Sequence, residues 1–358
     1  MLLLLSQTNK TMFSNLLINW YLQNKRDLPW RKTKDAYKIW LSEIILQQTR
    51  VAQGLPYYIS FVNAFPTVQE LANAPEEKVL KLWQGLGYYS RARNLHAAAK
   101  YVVENCNGVF PTTYKELIAL KGVGEYTAAA VASFSSNEKV AVVDGNVFRV
   151  LARFFGIESD ISIGTTKKEF QQKANSLIPT KAADFNQAIM EFGALQCVPK
   201  SPNCSVCPLQ INCVACATGK VDSLPVKTKK TKVTNRFLHY IIVKDKAGNF
   251  ILNKRETKGI WQNLYEFPVF ETEKAMTESE FENWFKNYTF LDNQPFEKRI
   301  LDSDYLVHKL SHQALHIRFV EVRLNTTLNH AISLEQLLKL PFPIVLFNFI
   351  ERVYNHIK

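Results

Sequence analysis

The chain has 358 residues, of which 47% are hydrophobic and 21% charged, and this composition excludes a disordered or collagen-like protein. The length predicts two or three domains. The net charge is +12, with +7 on residues 1–218, +5 on residues 219–236 and none on residues 237–358. This distribution predicts a polyanion bound by the first two segments, although many soluble proteins are modestly basic.

Apolar residues recur at helical spacing from residue 13 to about residue 211, as in Ile39-Trp40 followed by Ile44-Ile45. We expect five prolines of this stretch to mark helix starts and loops: Pro29, Pro56, Pro66, Pro75 and Pro111. The apolar run Leu2–Leu5 is too short to span a bilayer and lacks the basic residues of a signal peptide, so we expect a cytoplasmic protein. Residues 1–218 are therefore predicted to form an all-α domain.

Residues 219–236 are basic and poor in large apolar side chains, which predicts an exposed linker. Residues 237–358 change in character. Residues 237–243 and 248–252 read as two strands joined by a turn, and residues 316–319 and 320–323 alternate with a slip that predicts a bulge. Helices are expected over 278–285 and 334–338. This part is predicted to be a separate α+β domain.

Four of the six cysteines lie close together in the sequence: Cys197, Cys204, Cys207 and Cys213. Their thiolates can surround one soft metal centre, whereas disulfides are rare in the cytosol. Structural zinc usually takes two C-x2-4-C pairs with a longer gap between them, and the run of these four cysteines contains only one such pair. An iron–sulfur cluster and zinc are the two alternatives. Cys106 and Cys216 are expected to be non-ligands.

Gly122 and Gly124 precede the alanine-rich stretch Ala128–Ala132. Two glycines one residue apart allow a tight turn with positive φ, and the following helix N-terminus can bind phosphate through its backbone N–H groups. A simple turn between helices explains the same pattern.

Two carboxyls have sequence surroundings suited to catalysis. Asp144 follows four apolar residues and precedes a helical segment, which predicts a helix N-cap. Glu43 shares a helix face with Ile39 and Trp40, and apolar neighbours raise the pKa of a carboxyl. A solvent-facing glutamate near Lys38 or Arg50 is the alternative for Glu43.

Residues 13–218 resemble the MutY family of adenine DNA glycosylases, within the endonuclease III superfamily. The resemblance rests on six segments: residues 28–31, 40–49, 85–95, the hairpin at 120–130, the aspartate segment at 143–153 and the cysteine loop at 197–213. The cysteine spacing resembles the superfamily's 4Fe-4S loop. The hairpin resembles its helix-hairpin-helix motif, with Lys121 where the family usually has proline.

The resemblance implies that an adenine is flipped out of duplex DNA and that Glu43 protonates its N7. Asp144 would stabilise the oxocarbenium-like sugar, as an ion or through a transient adduct, and water would complete hydrolysis. Tyr126 and Asn146 complete the implied catalytic set. Bifunctional relatives carry a lysine where Tyr126 stands, so no strong β-lyase step is expected.

Further positions are implied to bind DNA. Adenine-pocket positions hold Arg26, Trp30, Arg31, Tyr126, Asn146 and Gln187, and Gln48 and Tyr88 stand where the family inserts wedges into the base stack. Each of these side chains is also compatible with packing or with a surface position.

Residues 259–268 resemble the start of the MutT-like (Nudix-like) domain of the same family, but no R-E-x2-E-E metal helix follows, which argues against nucleotide hydrolysis. The family uses this domain to recognise 8-oxoguanine. Ser311 and His312 align with its recognition loop, with Leu310 in place of a phenylalanine, and a plain strand-joining loop is the alternative.

We therefore expect a monomeric, monofunctional glycosylase that removes adenine opposite 8-oxoguanine or guanine in double-stranded DNA. One competing hypothesis is an endonuclease III for oxidised pyrimidines, against which Tyr126 and the C-terminal domain argue. Another is a non-catalytic DNA-binding iron–sulfur protein, which the variant Glu43→Gln distinguishes.

Overall fold

The computed structural model of the chain describes residues 2–228, 232–286, 296–301 and 304–355. The chain forms two compact units. The first consists of residues 1–73 and 94–229, and the second of residues 74–93 and 230–358. Within the described ranges, no helix is both long enough and apolar enough to cross a membrane.

The first unit is all-α, as the sequence predicts. Its α-helices are α1 (Leu2–Asn24), α2 (Ala36–Leu46), α3 (Val51–Ala64), α4 (Val68–Asn73), most of α6 (Ser90–Asn105), α7 (Tyr114–Leu117), α8 (Glu125–Ser136), α9 (Gly145–Phe155), α10 (Gly164–Leu177), α11 (Ala182–Leu195) and α12 (Val214–Ala217). Short 3-10 turns cover Pro29–Arg31, Cys204–Val206 and Gln210–Asn212.

Helix α1 shows how apolar spacing builds this core. Phe13, Leu17 and Tyr21 follow one another at intervals of four residues, so they share one face, and all three are buried. They belong to one hydrophobic cluster with residues of α9, α10 and α11. Burying a side chain such as Phe13 or Leu17 stabilises the fold by about 1.5–3 kcal/mol.

Two expectations for this unit need correction, and the second of them only at one residue. Pro56 lies inside α3 rather than at a helix start, where the burial of Tyr58 and Phe61 on the same helix offsets its missing N–H group. The predicted exposed linker is not exposed at Leu224, which is buried in the core cluster. Its carbonyl accepts a hydrogen bond from Arg153 Nε at 3.0 Å, so an isolated leucine in a polar segment anchors the chain.

The second unit is α+β. Its strands are β1 (Thr234–Lys244), β2 (Asn253–Lys254), β3 (Tyr265–Glu266), β4 (Val269–Thr272), β5 (Phe296–Ile300), β6 (Leu306–Lys309) and β7 (Gln313–Leu324), and its helices include α5 (Glu76–Leu82), α13 (Glu278–Lys286), α14 (Leu334–Lys339) and α15 (Ile344–Ile350). The main sheet has the order β4-β1-β7-β5, and β6 also pairs with β7. Strands β1 and β7 are parallel, whereas the other pairs of this sheet are antiparallel.

The helices predicted over 278–285 and 334–338 are confirmed as α13 and α14, but two strand predictions were wrong. Strand β7 pairs with β1 without interruption, so there is no bulge. Val320 and Val322 pack in one hydrophobic cluster, while Phe319 stacks on Phe349 of α15. Both faces of this central strand are therefore buried, so apolar and polar residues do not alternate regularly along it. The strand expected at 248–252 reduces to two isolated bridges at Phe250, one with Lys244 and one with Ile332.

Residues 74–93 pack with the second unit, although the sequence placed them in the first domain. Glu77 accepts a hydrogen bond from the Tyr265 hydroxyl at 2.6 Å, and Arg93 donates one to the Gln262 carbonyl at 2.7 Å. These polar contacts join residues that are remote in sequence. The local sequence pattern therefore could not predict that residues 74–93 pack with the second unit.

Candidate active site

A cavity of about 450 Å³ lies in the first unit. The cavity is built from the 3-10 turn at Pro29–Arg31, from α2 and the start of α3, and from the N-termini of α8 and α9 and the C-terminal half of α11. All six residues predicted to line an adenine pocket contribute to its wall, together with both candidate carboxyls: Arg26, Trp30, Arg31, Tyr126, Asn146, Gln187, Glu43 and Asp144.

Glu43 is 7% exposed on the buried side of α2, so the solvent-facing alternative is excluded. Burial raises the pKa of its carboxyl from 4.5 to about 7, and the charge of Asp144 acts in the same direction. A hydrogen bond with Tyr126 and the charge of Arg31 oppose this rise in pKa. Glu43 is therefore protonated up to about neutral pH and can act as a general acid.

Asp144 is the N-cap of α9, as its sequence position predicts. Its Oδ1 accepts from the Val147 backbone N–H at 2.8 Å and its Oδ2 from the Asn146 amide at 2.8 Å. Burial has the largest effect and raises the pKa of Asp144 above its ordinary value, although these hydrogen bonds oppose the rise because they favour the carboxylate. The two carboxyls of one cavity thus differ in surroundings, one with a single hydrogen bond and one fixed by several.

A buried network holds Asn146. Arg149 donates to Asn146 Oδ1 at 2.9 Å and to the Gly193 carbonyl at 2.5 Å, which leaves the Asn146 amide N–H to face Asp144. A Cβ at Gly193 would lie 2.6 Å from Asn146 Cβ, so only glycine lets α11 approach α9 this closely. This packing sets the orientation of the Asp144 carboxylate.

Sequence reasoning missed Glu191, a buried carboxylate on the cavity wall. Arg31 and Arg26 both donate to it, with nitrogen–oxygen distances of 2.7 and 2.5 Å. Burial raises its pKa, but the two guanidinium groups prevail and hold it at about 2. The sequence did contain a signal for this residue, because Glu191 is a charged residue between Ala188 and Phe192 on an apolar helix face.

The two predicted wedge residues do not line this cavity. Gln48 and Tyr88 are exposed, and both have positive φ, at 56° and 43°. Left-handed backbone is costly for residues other than glycine, so the surrounding structure must hold it. Each side chain is displayed on a fixed loop rather than packed into a core.

The predicted hairpin forms, but only one of its two glycines has the positive φ that favours glycine. Gly122 has φ of +79°, and a Cβ there would lie 2.7 Å from the Asn94 side chain. Gly124 has φ of −93° and caps α8 without a side-chain hydrogen bond. Among the described residues, none lies within 4 Å of the position that its Cβ would occupy, so this helix N-terminus is open to an anion.

In the second unit, Ser311 and His312 lie in the tight connection between β6 and β7, as the alternative of a strand-joining loop describes. Both side chains are exposed. The Ser311 hydroxyl is hydrogen-bonded to the hydroxyl of Tyr88. One predicted wedge and one predicted lesion-contacting residue therefore lie together in the same compact unit.

The cysteine loop encloses a cavity of about 30 Å³ against the buried Arg153. All four predicted ligands line it: Cys197, Cys204, Cys207 and Cys213. Arg153 Nη1 lies 3.4 Å from Cys197 Sγ. In the part of the chain that the structure describes, no three His, Cys, Asp or Glu side chains are arranged to hold a single metal ion.

Comparison with known proteins identifies the family. Residues 41–180 match the HhH-GPD superfamily base excision DNA repair protein, and residues 239–352 match the NUDIX domain. The adenine DNA glycosylase of Buchnera aphidicola subsp. Schizaphis graminum is 37% identical over 87% of this chain and 88% of its own length. The chain belongs to the adenine DNA glycosylase family.

This glycosylase is also similar to a human relative, an adenine DNA glycosylase that is 45% identical over 57% of this chain and 39% of the human protein. Among solved structures, a thermostable thymine-DNA glycosylase matches with a TM-score of 0.55 and 29% identity, over 60% of this chain and 99% of that one. Endonuclease III, solved with DNA, shares the fold at a TM-score of 0.52 and 21% identity, over 60% of this chain and 97% of its own.

Proposed function

We propose that this DNA glycosylase excises adenine from 8-oxoguanine:adenine and guanine:adenine mispairs in duplex DNA by acid-assisted hydrolysis, as a monomer in base excision repair. The observation that carries the proposal is the shared cavity of Glu43 and Asp144, where one carboxyl is protonated near neutral pH and the other is fixed by hydrogen bonds. With DNA as its substrate, the enzyme would act in the cytoplasm, as predicted from the sequence.

In this mechanism the flipped adenine enters the cavity between the two carboxyls. Glu43 donates its proton to N7 as the bond between C1′ and N9 breaks, so the base leaves with the bonding electrons in neutral form. The Asp144 carboxylate stabilises the positive charge that develops on the sugar. Water then adds to C1′, and its proton passes to Asp144 or to solvent.

The residue beside Glu43 is Tyr126, whose hydroxyl is hydrogen-bonded to it, and no lysine lines the cavity among the described residues. Burial and the nearby carboxyls raise the pKa of Tyr126 well above 10, so its hydroxyl stays protonated. Without an amine nucleophile, no Schiff base forms with the sugar. These observations support a monofunctional enzyme.

Three features support DNA and lesion binding. The open N-terminus of α8 behind Gly124 suits a phosphate, and the exposed Gln48 and Tyr88 are suited to enter the base stack. Ser311 and His312 would read the base opposite the adenine. The hydrogen bond between Ser311 and Tyr88 would connect the residue that contacts that base with the residue that enters the base stack.

We further propose that the cysteine loop holds a 4Fe-4S cluster. Four thiols around one cavity match the ligand set, and the buried guanidinium of Arg153 would compensate negative charge on the thiolates. When bound, the cluster would cross-link the segment from Cys197 to Cys213 and so order the loop; no step of the reaction passes through it.

The proposed function is tested by single-turnover release of free adenine from duplexes with 8-oxoguanine, guanine or thymine opposite the adenine. We expect release in the order 8-oxoguanine, then guanine, then thymine. Glu43→Gln should abolish release, by at least about 10²-fold, while duplex affinity stays within about twofold. Adenine release that survives in Glu43→Gln would rule out Glu43 as the acid.

A further inference from the structure

The cavity enclosed by the cysteine loop is lined by five cysteines rather than four. Cys216, which the sequence analysis set aside as a spare residue, lies on the wall together with the four predicted ligands. It lies within α12, three residues after Cys213. Its backbone N–H is hydrogen-bonded to the Cys213 sulfur.

The five sulfur atoms are not equally close to one another. The Cys216 thiol is hydrogen-bonded to Cys204, and among the thiols it is the strongest influence on the pKa of Cys204, which burial and the thiols together raise. The largest influences of other thiols on the pKa of Cys207, which burial raises to about 11, come from Cys197, Cys204 and Cys213. Cys216 is therefore a direct neighbour of Cys204.

We propose that Cys216 is a reserve ligand of the cluster site, able to take the iron position of Cys204 when that thiolate is lost. The inference rests on the proposed cluster. A thiolate on the same wall, in contact with the ligand that it replaces, needs only a side-chain rotation and no movement of the loop. Cysteine thiolates are the usual ligands of iron–sulfur clusters, and the cavity offers one more than a cubane uses.

The wild-type chain tests the cluster separately, because it should contain about four irons per protein and show the visible absorption of an iron–sulfur cluster. A wild-type chain without iron would end both proposals. A wild type with iron isolates the role of Cys216. Cys216→Ala alone should leave the iron content within about twofold of wild type, since all four main ligands remain.

The decisive variants remove main ligands, with alanine chosen because serine can ligate iron. Cys204→Ala should keep at least about half of the iron and absorption, whereas Cys204→Ala/Cys216→Ala and Cys207→Ala should each lose about tenfold. Cys204→Ala/Cys106→Ala is the matched control, since Cys106 does not line the cavity, and it should behave as Cys204→Ala does. Iron loss in Cys204→Ala equal to that in Cys207→Ala overturns the inference.

A second measurement does not depend on the double variant being folded. In wild type with its cluster, Cys216 should be open to alkylation by iodoacetamide, and in iron-loaded Cys204→Ala it should be protected. Peptide mass spectrometry reads the modification at this residue. Equal alkylation of Cys216 in the two proteins would overturn the inference even if Cys204→Ala retained iron.

Discussion

At the scale of single residues, burial raises the pKa of both carboxyls in the site. More hydrogen bonds oppose this rise at Asp144 than at Glu43. Glu43 receives a hydrogen bond from Tyr126, whereas Asp144 receives them from Val147 and Asn146 and caps a helix. In the proposed mechanism this difference would let two groups of the same chemistry serve as acid and as anion near neutral pH.

The rate of base release should therefore depend on pH through Glu43. Because its pKa is about 7 and the acid form is required, the single-turnover rate should be highest below pH 7 and fall about tenfold per pH unit well above it. A profile measured from pH 5 to 9 checks this. A rate that stays constant up to pH 9 would exclude a titrating acid of this pKa.

The same group should reduce the stability of the fold at high pH. Folded Glu43 retains its proton between pH 4.5 and 7, where the unfolded carboxyl is already ionised, so unfolding becomes easier as pH rises through this window. Glu43→Gln removes the free-energy cost of ionising a buried carboxyl. The variant should therefore stabilise the protein by about 2–3 kcal/mol more at pH 8 than at pH 5. Urea unfolding at both pH values measures it, and an equal effect at both would contradict it.

At the scale of elements, the site depends on how closely α9 and α11 approach each other. Asn146 on α9 contacts the backbone of Gly193 on α11, and Arg149 bridges the two helices. The orientation of Asp144 is thus set by a helix more than 40 residues away in sequence.

Gly193→Ala should push α11 away from Asn146. We expect a loss of about 1–3 kcal/mol in stability and a slower base release, because the amide that fixes Asp144 is displaced. Gly164→Ala at the start of α10 is the matched control, since a Cβ there meets no described atom within 4 Å. Denaturant unfolding and single-turnover kinetics measure both variants. Equal behaviour of the two would argue that the contact has no importance.

At the scale of the whole molecule, positive charge is confined to part of the chain. Residues 219–236 carry a net charge of +5 and residues 237–358 carry none, so we expect phosphate attraction in the first part and the connector. The neutral segment 237–358 is suited to contacts with a particular base rather than to general attraction for DNA.

Duplex affinity should fall by at least about tenfold between roughly 50 and 200 mM salt. Lys227→Gln/Lys232→Gln should reduce the slope of log affinity against log salt by about 1–2. Each lost lysine–phosphate contact means that one counterion fewer is released from the DNA on binding. Lys246→Gln/Lys274→Gln, two exposed lysines of the second unit, is the control and should leave the slope unchanged. Fluorescence anisotropy measures both, and identical slopes would place phosphate binding elsewhere.

The sequence by itself determined the features that depend on neighbours along the chain. The helical and mixed halves follow from apolar spacing, and the N-cap role of Asp144 follows from hydrogen-bonding distance to a residue three positions on. The four-cysteine loop is equally local. These features could be predicted because helix geometry and short loops fix which nearby residues meet.

Only the tertiary structure decided what depends on residues remote in sequence. It buried Glu43, paired Glu191 with arginines 160 and 165 residues away, and placed residues 74–93 in the second unit. It also brought Cys216 against Cys204, a contact that its position three residues after Cys213 does not specify. Burial and charge pairing depend on which surfaces pack together, and the local order of residues does not specify that packing.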